Sequence, residues 1–274
     1  MGLVKLWSDK EIGGRIYLQF CEFGQAFPKD KNDQILNILM SVMHKLTAMK
    51  YHKENYNSRL KSKMTSFQSI LRKHKADPEG VHQEENFDLI CELEAFLFQT
   101  KSCLDILIKI LAPICDLSYG SLFTFGSKGA LIQTLLDKNV SKVRFGKERI
   151  AFLIKIIEDN KKPWLDYTIA LRDRLSHKES TRMLLIGIKR LPNDDLVAQA
   201  PLLEGMDISF MLDIIYSNCI NFAQDFFVHA LFLLLPQSLI AMKADEKDLV
   251  QKYNTDSAKY IKYSIGMSPD AKIE

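Results

Sequence analysis

The sequence lacks the residue spacings of a metal site or a disulfide framework. Its five cysteines include no C-x-x-C pair, and its six histidines include no H-x-x-x-H pair. Most of the cysteines lie in apolar runs, which is typical of reduced, buried side chains in a cytosolic protein. We therefore expect no bound metal and no disulfide bond.

Long apolar runs and glycine-rich nucleotide motifs are also absent. The longest apolar run, residues 226–235, is about half of the ~20 residues that cross a bilayer. The N-terminus has no signal-peptide pattern, and Leu6 stands where a myristoylation signal needs Ser or Thr. The glycines within residues 118–129 match neither a phosphate-binding loop nor a dinucleotide fingerprint. These absences predict a soluble, cytoplasmic protein with no membrane contact and no cofactor.

The charged residues fall into two blocks of opposite sign, although the net charge of the chain is only +3. Residues 45–75 carry nine Lys or Arg and one Glu, whereas residues 77–116 carry nine Asp or Glu and two Lys. Such blocks form either a solvated interface between two helices or a phosphate-facing patch beside an ordinary helix. The sequence leaves both interpretations open.

Apolar residues at helical spacing dominate the first half of the chain. They predict helices over residues 30–50 and 56–75, with a break at residues 76–80. A third helix, from Phe87 to about Leu111, carries two apolar stripes, which predicts burial on more than one side.

The second half predicts helices over residues 147–162 and 163–177, with Pro163 in the first turn of the second helix. β-Branched and apolar residues at 183–188 and 196–203 predict a small hairpin, and Asp207 is placed to begin a last apolar helix. The polar residues after 243 are expected to dock loosely.

The predicted fold is mainly all-α with one small β-hairpin. We divide the chain into an N-terminal helical extension (residues 1–76), a helical domain (residues 77–240) and a polar C-terminal tail (residues 241–274).

Residues 172–177, Arg-Asp-Arg-Leu-Ser-His, bring together the groups that phosphodiester chemistry needs without a metal. On a helix, Asp173 and His177 are four residues apart and share a face, so the carboxylate can orient the imidazole. Arg172 beside them is suited to hold a phosphate oxygen with two parallel hydrogen bonds. The same spacing also suits a plain local stabiliser near a helix C-terminus, and spacing alone leaves both interpretations open.

In its sequence context the motif resembles the HEPN superfamily, whose members share Arg, four to six residues and His, commonly with a polar residue after the Arg. The resemblance covers roughly residues 80–240, and only the motif is specific. Arg172 and His177 match the fixed positions, and Asp173 matches the polar one.

The resemblance implies an up-and-down helical bundle that dimerises through the motif-bearing face. Two motifs then form one metal-independent endoribonuclease site, with His177 as general acid and base, Arg172 as phosphate clamp and Asp173 as orienting residue. Many relatives act in toxin–antitoxin or antiviral defence systems, so an antitoxin or other defence partner is expected besides RNA. Three basic residues near the motif are expected to contact the RNA backbone: Arg174, Lys178 and Arg182.

The chain departs from the toxin branch of that superfamily, which carries a Tyr two residues after the His, where this sequence has Glu179. The alternative is a non-catalytic module of this type that binds nucleic acid, a nucleotide or a protein partner. Among the other histidines, His229 is expected to be a core residue, whereas His44, His52 and His74 have no expected partner.

Overall fold

A computed structural model describes residues 9–24, 27, 29–73, 86–115, 146–177, 184–236 and 238–267. This part of the chain is mainly helical, as predicted, and also contains short antiparallel strand pairs. The helices are α1 (Lys10–Ile12, a π-helical stretch Gly13–Leu18, and Gln19–Gly24), α2 (Lys29–Lys73), α3 (Phe87–Leu107, continued by a 3-10 turn Ile108–Ile110 and by Leu111–Cys115), α4 (Lys147–Asn160), α5 (Asp166–His177), α6 (Ile208–Phe232) and α7 (Glu246–Tyr253). The strands are β1 (Gly187–Arg190), β2 (Leu196–Gln199), β3 (Leu202–Leu203), β4 (Met206–Asp207), β5 (Leu239–Lys243) and β6 (Tyr263–Met267).

Helix α2 is one helix of 45 residues, where two helices were expected. No glycine or proline occurs between residues 50 and 56, so the sequence contains no signal that ends a helix there. The buried side chains continue along one face of α2, from Ile35 through Tyr56 to Leu71.

Helix α3 is the central helix, and both of its apolar stripes are buried, as predicted, except for the exposed Phe87 at its start. Leu93 and Phe96 from one stripe and Leu97 and Leu104 from the other are almost inaccessible to solvent. The helix packs along α2 on one side and contacts α5 and α6 on others.

Pro163 does not begin a new helix, contrary to the expectation. It lies in a π-helical stretch, Lys161–Leu165, that joins α4 directly to α5. A proline ring clashes with the carbonyl four residues earlier, and a wider turn relieves that clash. Trp164 Nε1 donates to Asn160 Oδ1 at 2.8 Å across the stretch, so α4 and α5 form one continuous segment.

The predicted hairpin is present as the antiparallel pair β1–β2. It packs on the C-terminal end of α2, where Phe67 and Leu71 contact Ile186 and Leu196. A second hairpin, β3–β4, turns at Glu204 and Gly205, whose φ angles are 54° and 82°. Two successive residues with positive φ are typical of a type I′ turn.

Helix α6 begins after Asp207, as predicted, and the Asp207 carboxylate accepts a hydrogen bond from the Phe210 N–H at 3.0 Å. Buried residues lie on nearly every side of α6. It therefore forms the core together with α3.

Residues 243–267 do not dock loosely, contrary to the expectation. Strands β5 and β6 pair, and α7 and a 3-10 turn, Asp256–Tyr260, lie between them. The fully buried Gln19 of α1 anchors this segment: its Oε1 accepts from the backbone N–H groups of Lys262 and Tyr263, and its Nε2 donates to the Tyr263 carbonyl. One hydrophobic core contains buried residues of the first two predicted parts, from Ile12 to Leu235, and Tyr263 and Ile265 of the third part pack against it.

Candidate functional site

The Arg-to-His motif occupies the last turns of α5. Leu165, Ile169 and Leu171 bury one face of this segment, which packs against α3. Because Arg172 follows Leu171, its side chain lies at the edge of that contact, and 24% of it is exposed. The described start of the motif, Arg172 and Asp173, therefore reaches the surface.

Arg172 is held by an aromatic ring and a carboxylate. Its guanidinium carbon lies 4.6 Å from the centre of the Phe98 ring on α3, and its Nη1 donates to Asp173 Oδ1 at 2.9 Å. A cation–π contact at a partly exposed site contributes roughly 1 kcal/mol. These two contacts fix the direction of the guanidinium before any ligand binds.

The predicted pairing of Asp173 with His177 stays a prediction. The helix ends at His177, but the His177 side chain lies outside the described structure, as do the whole of Lys178 and Arg182. The Asp173 side chain is 53% exposed, and its described partner is Arg172.

Arg174 contacts the turn of the second hairpin. Its Nη2 forms an ion pair with Glu204 Oε1, which fastens β3–β4 to the C-terminal end of α5. Tyr167 belongs to the same cluster, and burial together with the nearby Glu204 carboxylate raises the pKa of its hydroxyl. The expected role of Arg174 in binding RNA therefore competes with a contact inside the chain.

An exposed apolar surface adjoins this hairpin. It consists of four side chains that are 37–59% exposed: Leu202, Met206, Phe210 and Ile214. Phe210 and Ile214 are one turn apart on α6, directly after β4, and share one face of that helix, whereas Leu202 and Met206 lie on opposite faces of the hairpin. The ion pair of Arg174 with Glu204 places the turn of this hairpin beside the motif.

His52 has a carboxylate partner that the sequence analysis missed. Its Nδ1 lies 2.7 Å from Glu92 Oε2, and Arg59 Nε lies 3.2 Å from Glu92 Oε1. Lys63 and Arg59 also pair with Asp88, at 3.0 Å and 3.6 Å. The only available signal was the four-residue spacing of Arg59 and Lys63 on α2 and of Asp88 and Glu92 on α3. These contacts favour the first interpretation of the charge blocks, a solvated interface between two helices.

His229 lies among aromatic rings but is half-buried at the edge of the core, whereas a core position was expected. The rings of Phe152, Tyr263 and Phe232 are centred 4.5 Å, 5.2 Å and 6.1 Å from its own. Burial lowers its pKa to about 4, against the opposing effect of Asp225. The imidazole is therefore neutral at neutral pH.

The lowered pKa of His229 predicts a loss of stability in acid. Below about pH 6.5 the unfolded chain binds a proton at His229 that the folded chain does not, so the free energy of unfolding falls between pH 6.5 and pH 4 by about 3 kcal/mol. Denaturation of the wild type and of His229→Phe at pH 7.5 and 4.5 measures this contribution, because the variant lacks it. The exposed His44 provides the control: His44→Phe should keep the full dependence. An unchanged pH dependence in His229→Phe would contradict the assignment.

Within the described ranges, no three His, Cys, Asp or Glu side chains are grouped so that they could hold a metal ion. In the same ranges no helix is both long enough and apolar enough to cross a bilayer. Comparison with known proteins finds no matching family model, no matching curated protein and no matching solved structure.

Proposed function

We propose that this protein is a metal-independent endoribonuclease of the HEPN type that acts as a homodimer in the cytoplasm, in a toxin–antitoxin or antiviral defence system. The observation that carries the proposal is the placement of Arg172. Its guanidinium is oriented on Phe98 at the surface, on the same terminal turns of α5 as Asp173 and the backbone of His177. The fold supports it more broadly, because the described chain is mainly helical.

The proposed reaction is attack of an RNA 2′-hydroxyl on the adjacent phosphorus. His177 of one protomer accepts the 2′-hydroxyl proton, a new P–O2′ bond forms, and the bond to the 5′-oxygen breaks. The second His177 protonates that 5′-oxygen, which leaves a 2′,3′-cyclic phosphate and a free 5′-hydroxyl. Arg172 stabilises the charge of the pentacovalent phosphorus, since a guanidinium can present two parallel N–H donors to phosphate oxygens.

The exposed apolar surface of Leu202, Met206, Phe210 and Ile214 supports dimerisation through the motif-bearing face. Phe210 and Ile214 share one exposed face of α6, and apolar side chains grouped in this way are typical of an interaction site. Because Arg174 joins this hairpin to α5, a second copy seated there brings its own motif close to the first. Two histidines and two guanidinium groups then share one cleft.

The direct test is cleavage of single-stranded RNA in the presence of EDTA. We expect cleavage to persist when metal ions are chelated and to yield cyclic phosphate ends, which denaturing gels and mass spectrometry detect. Cleavage that requires a divalent metal ion, or no cleavage by the purified dimer, would contradict the proposal.

Disrupting the apolar surface should separate the protomers. In the double variant Phe210→Asp/Ile214→Asp, two charges replace apolar contacts, so sedimentation should show monomers, and RNA cleavage should fall by about 100-fold or more because the composite site is split. The matched control Ile70→Asp/Met267→Asp changes two apolar residues that are exposed elsewhere and should leave both properties unchanged. A double variant that stays dimeric would place the interface elsewhere.

The alternative of a non-catalytic binding module is favoured by one observation. Arg172 and Arg174 both have partners inside the chain, namely Asp173 with Phe98, and Glu204. If the dimer binds RNA but leaves it intact in the cleavage assay, the motif serves that binding role.

A further inference from the structure

A large groove lies between α1 and the C-terminal segment, away from the motif. It has a volume of about 1250 Å³, beyond the roughly 300–1,000 Å³ of small-molecule pockets. Its walls come from residues 243–247, 250–251 and 259–262, and Arg15 of α1 closes one side. Arg15 Nη1 donates a hydrogen bond to Gln224 Oε1, and Gln224 lies 16 residues after the start of α6. Since a helix rises about 1.5 Å per residue, the groove lies about 24 Å along α6 from the hairpin beside the motif.

Three lysines in the groove are available to a ligand. In the described structure, no carboxylate pairs with Lys243, Lys247 or Lys259. The other two cations are already engaged: Arg15 by Glu11, Asn221 and Gln224, and Lys262 by Asp225. The three lysines come from the end of β5, the first turn of α7 and the 3-10 turn, so they are distributed along the groove.

Two acidic residues also line the groove, and their negative charge offsets only part of the positive charge of the lysines. The Asp245 carboxylate accepts hydrogen bonds from the backbone N–H groups of Lys247 and Asp248, at 2.8 Å and 3.4 Å. It therefore caps α7, whose N-terminal dipole offsets its charge. Glu246 has no described ion pair and reduces the positive potential locally.

An aromatic ring lies among the cations. Tyr260 lines the groove between Lys259 and Ile261, and the Lys259 ammonium is 5.2 Å from the centre of its ring. With Val250 and Ile261 it supplies apolar surface inside a basic groove.

Buried amides hold the groove in shape. Gln224 Nε2 donates to Gln19 Oε1 and to the Tyr260 carbonyl, and both glutamines are fully buried. Gly14 allows the 3-10 turn to approach α1, because a Cβ at this position would lie only 2.0 Å from the Ser257 carbonyl oxygen. The two walls are thus fixed relative to each other without a ligand.

We propose that this groove binds a single-stranded nucleic acid, with Lys243, Lys247 and Lys259 on its phosphates and Tyr260 stacked on a base. A basic groove with an aromatic residue is the usual arrangement for single strands. Lysine ammonium groups on flexible side chains act as point charges, which suits the repeated phosphates of a nucleic-acid backbone. A mononucleotide site instead needs fixed donors that converge on one small ligand. A paired duplex offers no base face to Tyr260. The inference concerns binding alone and does not require that the chain cleaves RNA.

The test is fluorescence anisotropy with a labelled ten-nucleotide DNA strand, which lacks the 2′-hydroxyl and so survives the proposed cleavage chemistry. The triple variant Lys243→Gln/Lys247→Gln/Lys259→Gln should raise Kd about 100-fold at 0.1 M salt. It should also reduce the slope of log Kd against log salt concentration (the salt slope) by about 2, because each lost phosphate contact removes about 0.7 from that slope. Tyr260→Leu should raise Kd about tenfold, and Glu246→Gln should lower it. The control Lys29→Gln/Lys61→Gln/Lys73→Gln, with the same change of charge on exposed positions of α2, should change Kd less than about threefold.

Several results would overturn the inference. These are an unchanged salt slope in the triple variant, an equal effect in the control, or equal affinity for a duplex of the same length. An acidic peptide that binds as tightly as the DNA strand would assign the groove to a protein partner instead. If the triple variant does not fold, each single lysine variant should still reduce the slope by about 0.7. Loss of RNA cleavage with binding intact would concern only the proposed function.

Discussion

Replacing His177 by Ala is expected to lower the rate of RNA cleavage in EDTA by about two to four orders of magnitude. The imidazole is the only group in the motif that accepts and donates a proton near neutral pH, so its loss removes proton transfer at both oxygens. The melting temperature should change little, because His177 is the last residue of α5. Single-turnover cleavage and thermal denaturation measure the two effects.

The exposed His44 of α2 provides a matched control, and His44→Ala should cleave at the wild-type rate. Arg172→Lys should lose about 100-fold, because an ammonium does not reproduce the bidentate guanidinium contact with the phosphate. A His177→Ala protein that cleaves normally would show that the activity comes from another site or a contaminant. If His177→Ala unfolds the protein and the wild type cleaves no RNA, the motif is structural.

Replacing Arg149 by Met should lower the free energy of unfolding by about 4 kcal/mol. The guanidinium of Arg149 donates to four backbone carbonyls at and beyond the C-terminal end of α6: Phe232 at 2.6 Å, Leu235 at 2.5 Å, Pro236 at 2.7 Å and Leu239 at 2.7 Å. The Phe232 carbonyl also accepts from the Leu235 N–H and the Pro236 carbonyl from the Leu239 N–H, so Arg149 adds its bonds to those of the turns. A cation at this helix C-terminus also complements the dipole. Methionine keeps the aliphatic bulk but supplies no donor.

Urea denaturation measures this loss, and for a chain of this size the melting temperature should fall by about 10 °C. Arg149→Lys should lose part of the stability, because one ammonium cannot reach all four carbonyls. Arg190→Met provides the control: its pair with Asp194 is exposed, so its effect should stay within about 0.5 kcal/mol. Equal stability of Arg149→Met and wild type would contradict this account.

The features predicted from the sequence are those that local periodicity encodes. The double stripe of α3, the hairpin β1–β2 and the cap of α6 at Asp207 all depend on residues a few positions apart. The position of the motif at the end of α5 is local in the same sense. The extent of α2 was missed because apolar spacing was interrupted at residues 51–55 while helix-compatible residues continued.

Contacts between distant residues could not be read from the sequence. Phe98 under Arg172 is 74 positions away, and the pairing of His52 with Glu92 depends on how α2 and α3 face each other. The C-terminal segment is polar, which favours a tail, but its anchors are Gln19 and Gln224 in other helices. The four carbonyls bound by Arg149 carry no side-chain signal at all.

The anchoring by Gln19 and Gln224 also determines the order in which the protein matures during translation. Both amides are fully buried, and their backbone partners lie at residues 260–263. A nascent chain that ends before these residues lacks those hydrogen bonds, and the amides of Gln19 and Gln224 keep contact with water instead. We therefore expect this part of the core to close only after residues 260–263 have left the ribosome.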